Sequence, residues 1–271
     1  MELWQINELI SNDAVDRLTK GVDRVEDEIY QILKRYLLRF NLEDGSFSAQ
    51  TATASLISEM NREIAAAVSK SRLDNAISNF LVNFDQIGEN ARLMHKQLSD
   101  VDVPVRIVNQ QKQLAIDSTV YSLRTANVDM RFIDPIKRVL FQRVTTGASL
   151  LETERELRRL IQGGDGTKGM MERWVGQIAR DSINQYEGSI HTAVKNEFGF
   201  TALRYVNSLV EDSRAQCQRW VAMGRIEEKD LPAEIAWAYN NGSGMIPATF
   251  KDNFLINRGG YNCRHRAIPV A

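Results

Sequence analysis

The side chains with the most chemical potential are Cys217, Cys263 and His265, with Asp212 and His191 as further donors. Thiolate sulfur and imidazole nitrogen are the donors that zinc and other thiolate-liking metals select. Cys263-Arg264-His265 places one of each two residues apart, on the same side of an extended segment. Cys217 would supply a third soft ligand if the two ends of the C-terminal region meet, while the spacing assigns no fourth ligand and the chain has no CxxC pair. Two other readings stand beside the metal. Both cysteines are small buried hydrophobes and His265 is a hydrogen-bonding residue, or Cys217 and Cys263 form a disulfide.

Other candidate chemistry is thinner. A Cys-His nucleophile would need Cys217 or Cys263 in a recognisable nucleophile turn, and neither lies in one. Glu152, Glu154 and Glu156 alternate their helix faces, so they read as a solvated charge cluster near a helix start and not as an acid–base pair. Gly163 to Gly169 is the most glycine-dense stretch, but Lys168 precedes Gly169 and the segment before it is helical, the wrong order for a nucleotide phosphate loop. It reads as a flexible inter-helix connection. With no catalytic constellation, the chain is expected not to be an enzyme and to require no cofactor. Zinc is the ion that the sulfur–imidazole set would take.

Arg258, Arg264 and Arg266 make the tail from Lys251 to Ala271 the only locally basic segment, with four positive charges against one negative. Such a segment could touch DNA phosphates or an acidic protein face, against the alternative of a solvated or internally paired set. The whole chain offers no such bias: 34 Lys and Arg against 35 Asp and Glu give a formal charge of -1, which argues against a general nucleic-acid or membrane-surface binder. At 271 residues, 43% hydrophobic and 25% charged, the composition is that of a globular chain long enough to bury its own core. Two cysteines fit synthesis in a reducing cytosol. No apolar run approaches a membrane span, and the first residues carry Glu2 and Glu8 where an export leader would be basic and then apolar.

The elements that must position these residues are mostly helical. Val15, Leu18, Val22, Val25, Ile29, Ile32 and Tyr36 recur at alternating steps of three and four, one stripe down a long helix. Leu73, Ile77, Phe80, Phe84, Ile87, Ala91 and Met94 repeat the rhythm, and Ala52, Leu56, Met60, Ile64 and Val68 recur every fourth residue. Three long antiparallel helices are expected, the first two joined by a turn at Asp44-Gly45. Ser99 to Pro104 breaks the pattern, and helix resumes from about Arg106 to Gln142 with an interruption near Asp134-Pro135. Ser149, with Glu152 three residues on, is an N-cap. Trp174, Ile178, Ser182, Tyr186, Ile190 and Ala193 predict one face of a helix ending at Gly199. Thr201 to Val210 is rich in strand formers, and short helices are expected over Arg214 to Met223 and Leu231 to Tyr239. Trp174, Trp220 and Trp237 fit helix faces and read as core. The expected architecture is therefore mainly α with a small α+β C-terminal module: a long-helix region over 1–99, a helical connector over 100–147 and a mixed module over 148–271.

Within that module the residues resemble a known family. Ile178-Ala-Arg-Asp181 with Tyr186, Tyr205-Val206, Asp212-Ser213-Arg214 followed by Cys217, and then Arg258-Gly259-Gly260-Tyr261-Asn262-Cys263-Arg264-His265 resemble, in order, the Mu F-like phage head morphogenesis family. Many members carry cysteine where this chain has His265, a change that keeps metal-ligating ability. The resemblance covers roughly residues 145 to 270 and implies a minor capsid protein of a tailed bacteriophage. Such a protein is made in the host bacterial cytoplasm, joins the portal, major capsid or scaffold protein during head assembly in several copies, and is carried in the virion. It implies a part in DNA packaging or ejection, with phage DNA as a further contact and no membrane.

Overall fold

A computed structural model describes residues 2–40, 42–47, 53–71, 73–124, 129–261 and 263–271. The chain runs α1 (Leu3–Leu37), β1 (Leu42–Glu43), β2 (Ser46–Phe47), α2 (Thr53–Lys70), α3 (Leu73–Leu81), α4 (Asn83–Ser99) and α5 (Val105–Arg124). A π-helical turn (Asp129–Ile133) leads into α6 (Asp134–Thr145), followed by α7 (Leu150–Gln162), β3 (Gly163–Gly164), β4 (Thr167–Lys168) and α8 (Met170–Phe198). The C-terminal part adds β5 (Ala202–Val206), α9 (Ala215–Met223), β6 (Arg225–Glu227), α10 (Leu231–Asn241), α11 (Phe254–Asn257) and β7 (Arg266–Val270). The protein is mainly α with a small α+β C-terminal module. No helix among the described residues is long and apolar enough to cross a membrane.

Contacts divide the chain into two compact units that are interleaved along the sequence, so the consecutive segments 1–99, 100–147 and 148–271 do not coincide with them. One comprises Met1–Val15, Leu81–Thr119 and Ala179–Ala271, the other Asp16–Phe80 and Val120–Ile178. In the second unit the stripe of α1 is buried from Leu18 through Tyr36, together with Met60 and Ile64 of α2. The β1–β2 hairpin turns at Asp44-Gly45, as its turn chemistry requires. Ala52 and the ends of the Asn41 to Ser48 connection lie outside the described residues. Ser149 caps α7 by accepting from the Glu152 backbone N–H at 3.4 Å. Gly163 to Gly169 is more than an irregular connection: β3 and β4 pair antiparallel across an Asp165-Gly166 turn. Glu26 reaches the start of α8, where Oε1 accepts from the backbone N–H of Met171 at 2.8 Å and of Glu172 at 3.1 Å.

In the first unit, α4 carries Phe84, Ile87, Ala91 and Met94 inward, and Asp100 ends it in the left-handed conformation before Pro104. The expected single helix through Leu73 to Met94 is two, α3 and α4, parted at the exposed Val82. The buried face of α8 also differs from expectation. Val175, Ala179, Ile183, Ile190 and Val194 are buried, whereas Trp174, Ile178, Ser182 and Ala193 are half-buried neighbours of that stripe. The smaller apolar side chains fit the close-packed face and the large indole rides at its edge. β5 is the centre of a three-stranded antiparallel sheet in the order β6-β5-β7, with Leu203 opposite both Ile226 and Pro269. Trp220, Ile226, Leu231, Ile235 and Phe254 close the core beside Tyr205 and Ala267. Burying aromatic rings of this size is among the largest single apolar contributions a small module can make.

Candidate functional site

The two motif elements meet at the first turn of α9. Arg214 precedes that helix in extended conformation, and its guanidinium spans to the later element: Nη1 donates to the Gly259 carbonyl at 2.8 Å and Nη2 to that of Tyr261 at 2.5 Å. Gln216 adds a buried amide that donates to Ser243 O at 2.7 Å and Gly259 O at 3.2 Å. Glycine is required where they close. A Cβ on Gly259 would lie 2.5 Å from Tyr205 Oη and 2.7 Å from both cysteine sulfurs, and one on Gly260, at φ 101°, would lie 1.9 Å from the Gly244 carbonyl oxygen. Asn262 of the same motif lies outside the described residues.

This closure places Cys217 Sγ 3.9 Å from Cys263 Sγ, and Cys263 Sγ 3.9 Å from His265 Nδ1. Both cysteines are free thiols, and all three side chains are buried. Tyr205 Oη is 3.5 Å from Cys217 Sγ and 3.3 Å from Cys263 Sγ, and its ring stacks on that of His265. Residues 263 to 265 precede β7, yet each of their carbonyls is held by a side chain. Asn184 donates to Cys263 O at 2.9 Å, Asn207 to Arg264 O at 2.8 Å and Arg258 to His265 O at 3.1 Å.

The electrostatics favour one thiolate over two. Cys263 is held well below its ordinary range, chiefly by the hydrogen bond from the Cys217 thiol and then by His265 and the Arg258 guanidinium. Cys217 is pushed up, first by that same shared proton and then by burial. Burial drives the Tyr205 hydroxyl far above its usual value, so it remains a neutral donor. A cavity of about 200 Å³ opens against the cluster and is bordered by Arg180, Ser208, Asp212, Ser213, Arg214 and Arg264 as well as the three.

Several expected residues stand elsewhere. His191 is not part of the cluster: its Nδ1 lies 2.9 Å from Nε2 of His95, an imidazole pair within the same unit. Arg258 and Arg266 are buried, and Arg266 Nε donates to Glu187 Oε2 at 2.8 Å, so neither can reach DNA phosphates or a partner. Desolvation accounts for the correction, because a buried guanidinium must find acceptors within the fold. Arg264 alone of the three is exposed. Sequence reasoning overlooked Glu187, Asn184 and Gln216. The first two had a signal, since Asn184, Glu187 and His191 recur at steps of three and four beside the apolar stripe of α8.

No protein-family model, no curated protein and no solved structure matches this chain.

Proposed function

We propose that the chain is a minor capsid protein of a tailed bacteriophage that binds the portal or procapsid during head assembly, travels in the virion in several copies, and assists DNA packaging or ejection. The observation that carries this reading is the closure of its two motif elements. Arg214 and Gly259 are 45 residues apart, yet the Asp212 to Cys217 element and the Arg258 to His265 element form one clasp around the cysteines, as a motif with a shared purpose would. The role is one of binding and not of catalysis: long helices dock to portal, major capsid or scaffold protein, and the clasp holds the module that ends the chain. DNA is the lesser contact, since Arg264 is the only exposed member of the three tail arginines considered for it. Synthesis is in the host cytoplasm and the destination is the phage head.

Co-expression of the tagged chain with the portal, scaffold and major capsid proteins of its own genome neighbourhood tests the proposal. Retention with portal at a fixed ratio below one chain per portal subunit, and presence in purified heads, are expected. A chain that elutes alone and is missing from the particles would overturn it.

A further inference from the structure

We infer that Cys217, Cys263 and His265 bind one zinc ion, with the fourth coordination position facing the adjoining cavity. This site is independent of the head-assembly reading and would stand if that reading failed.

Three observations converge on it. The donors are two sulfurs and an imidazole nitrogen whose atoms all lie within 4.8 Å of one another, on side chains buried from solvent. Two Zn–S bonds of about 2.3 Å at the tetrahedral angle separate their sulfurs by about 3.8 Å. The observed Sγ–Sγ distance is 3.9 Å, close to that span and far beyond a disulfide's bond of about 2.05 Å.

The second observation is preorganisation. The segment that carries two of the ligands lies outside any strand, and three side chains from α8, the end of β5 and the Arg258 loop fix its consecutive carbonyls. Tyr205 lies within hydrogen-bond range of both sulfurs, the outer support that metal thiolates usually have, and the absent Cβ at Gly259 leaves the space it needs.

The third observation is access. The cavity touches all three ligands, providing an entry path and room for an oxygen ligand at the fourth position. On binding, Zn²⁺ displaces the proton shared by the two sulfurs to solvent, giving two thiolates and a neutral imidazole around the ion. The first shell is then net neutral and no electron is transferred, which suits burial better than two bare thiolates would. The soft S₂N set selects zinc over magnesium or calcium.

The test uses the full chain expressed in zinc-supplemented medium and purified with reductant. Elemental analysis should find about one zinc per chain after desalting, and chelation followed by cobalt addition should yield a thiolate-to-metal charge-transfer band with the visible absorption of four-coordinate cobalt. Cys217→Ser and His265→Asn should each lower the zinc content at least tenfold, with Lys229→Ala, an exposed residue outside the clasp and its cavity, as a control that retains it. If the ligand variants do not fold, alkylation of the wild-type chain decides: both thiols should react faster after chelation and be protected again by zinc. Zinc below a tenth of an equivalent with both thiols reduced would overturn the site. So would an intact mass two hydrogens low, which would mark a Cys217–Cys263 disulfide.

Discussion

At the scale of single residues, the buried charges of the clasp matter as much as its sulfurs. Glu187 is fully buried, accepts from Arg266 Nε at 2.8 Å through one oxygen and from Asn7 Nδ2 at 2.9 Å through the other, and Asn7 in turn accepts from Asn90. Removing one partner of such a pair leaves a bare charge in a low dielectric. Arg266→Met is therefore expected to cost about 3–5 kcal/mol, and the double change with Glu187→Leu to recover most of that loss. Urea unfolding of the single and double variants measures it, and equal loss in both would show that the pair does not act as a unit. The sequence made the charge of Arg266 visible but not its destination, because its acceptor lies 79 residues away on another element. Cys217, Cys263 and His265 were legible by residue type alone. Tyr205 stood in the motif, but nothing in its spacing announced a hydroxyl between two sulfurs.

At the scale of elements, periodicity read burial well where one apolar face met one core. Every member of the stripe from Val15 to Tyr36 is buried, and the Ser149 cap and the break before Pro104 fall where local chemistry put them. It read poorly where a helix has polar work to do: α8 buries Asn184, Glu187 and His191, which a search for apolar steps passes over. The split at Val82 escaped notice because the apolar rhythm of α3 and α4 continues across it. The start of α8 also rests on a partner distant in sequence. Glu26 accepts two of its first backbone N–H groups, and desolvation nevertheless pushes its pKa up to about 7. The folded value exceeds the ordinary 4.5, so this group's contribution is most favourable below pH 4.5 and is lost as pH rises through about 7. Glu26→Gln mimics the protonated acid and keeps an acceptor. It should raise stability at pH 8 by roughly 3 kcal/mol relative to wild type and change little at pH 4.5. Denaturant midpoints at the two pH values provide the check, and an unchanged pH slope would contradict the assignment.

At the scale of the whole molecule, the two units should answer acid in opposite senses. The unit holding the clasp contains His95 and His191, whose pKa values are both lowered to about 3. Burial is the main cause for each, reinforced by His191 at His95 and by Arg258 and Arg266 at His191, while Glu187 opposes it at His95. For a base with a depressed folded pKa, the unfolded chain binds the proton first. The pair's contribution is thus intact above pH 6.5 and is lost as pH falls toward 3, at up to roughly 2.7 kcal/mol per pH unit when both protons are linked. Glu26, in the other unit, gains over much of the same range. Hydrogen exchange, corrected for its intrinsic pH dependence, should therefore show peptides from 81–119 and 179–271 losing protection between pH 6.5 and 4.5. Peptides from 16–80 and 120–178 should hold or gain. A chain in which both sets lose protection together would refute the opposed linkage. Replacing both histidines with glutamine should abolish the acid loss in the first set and leave the second unaltered, which ties the response to the imidazole pair and not to general acid expansion.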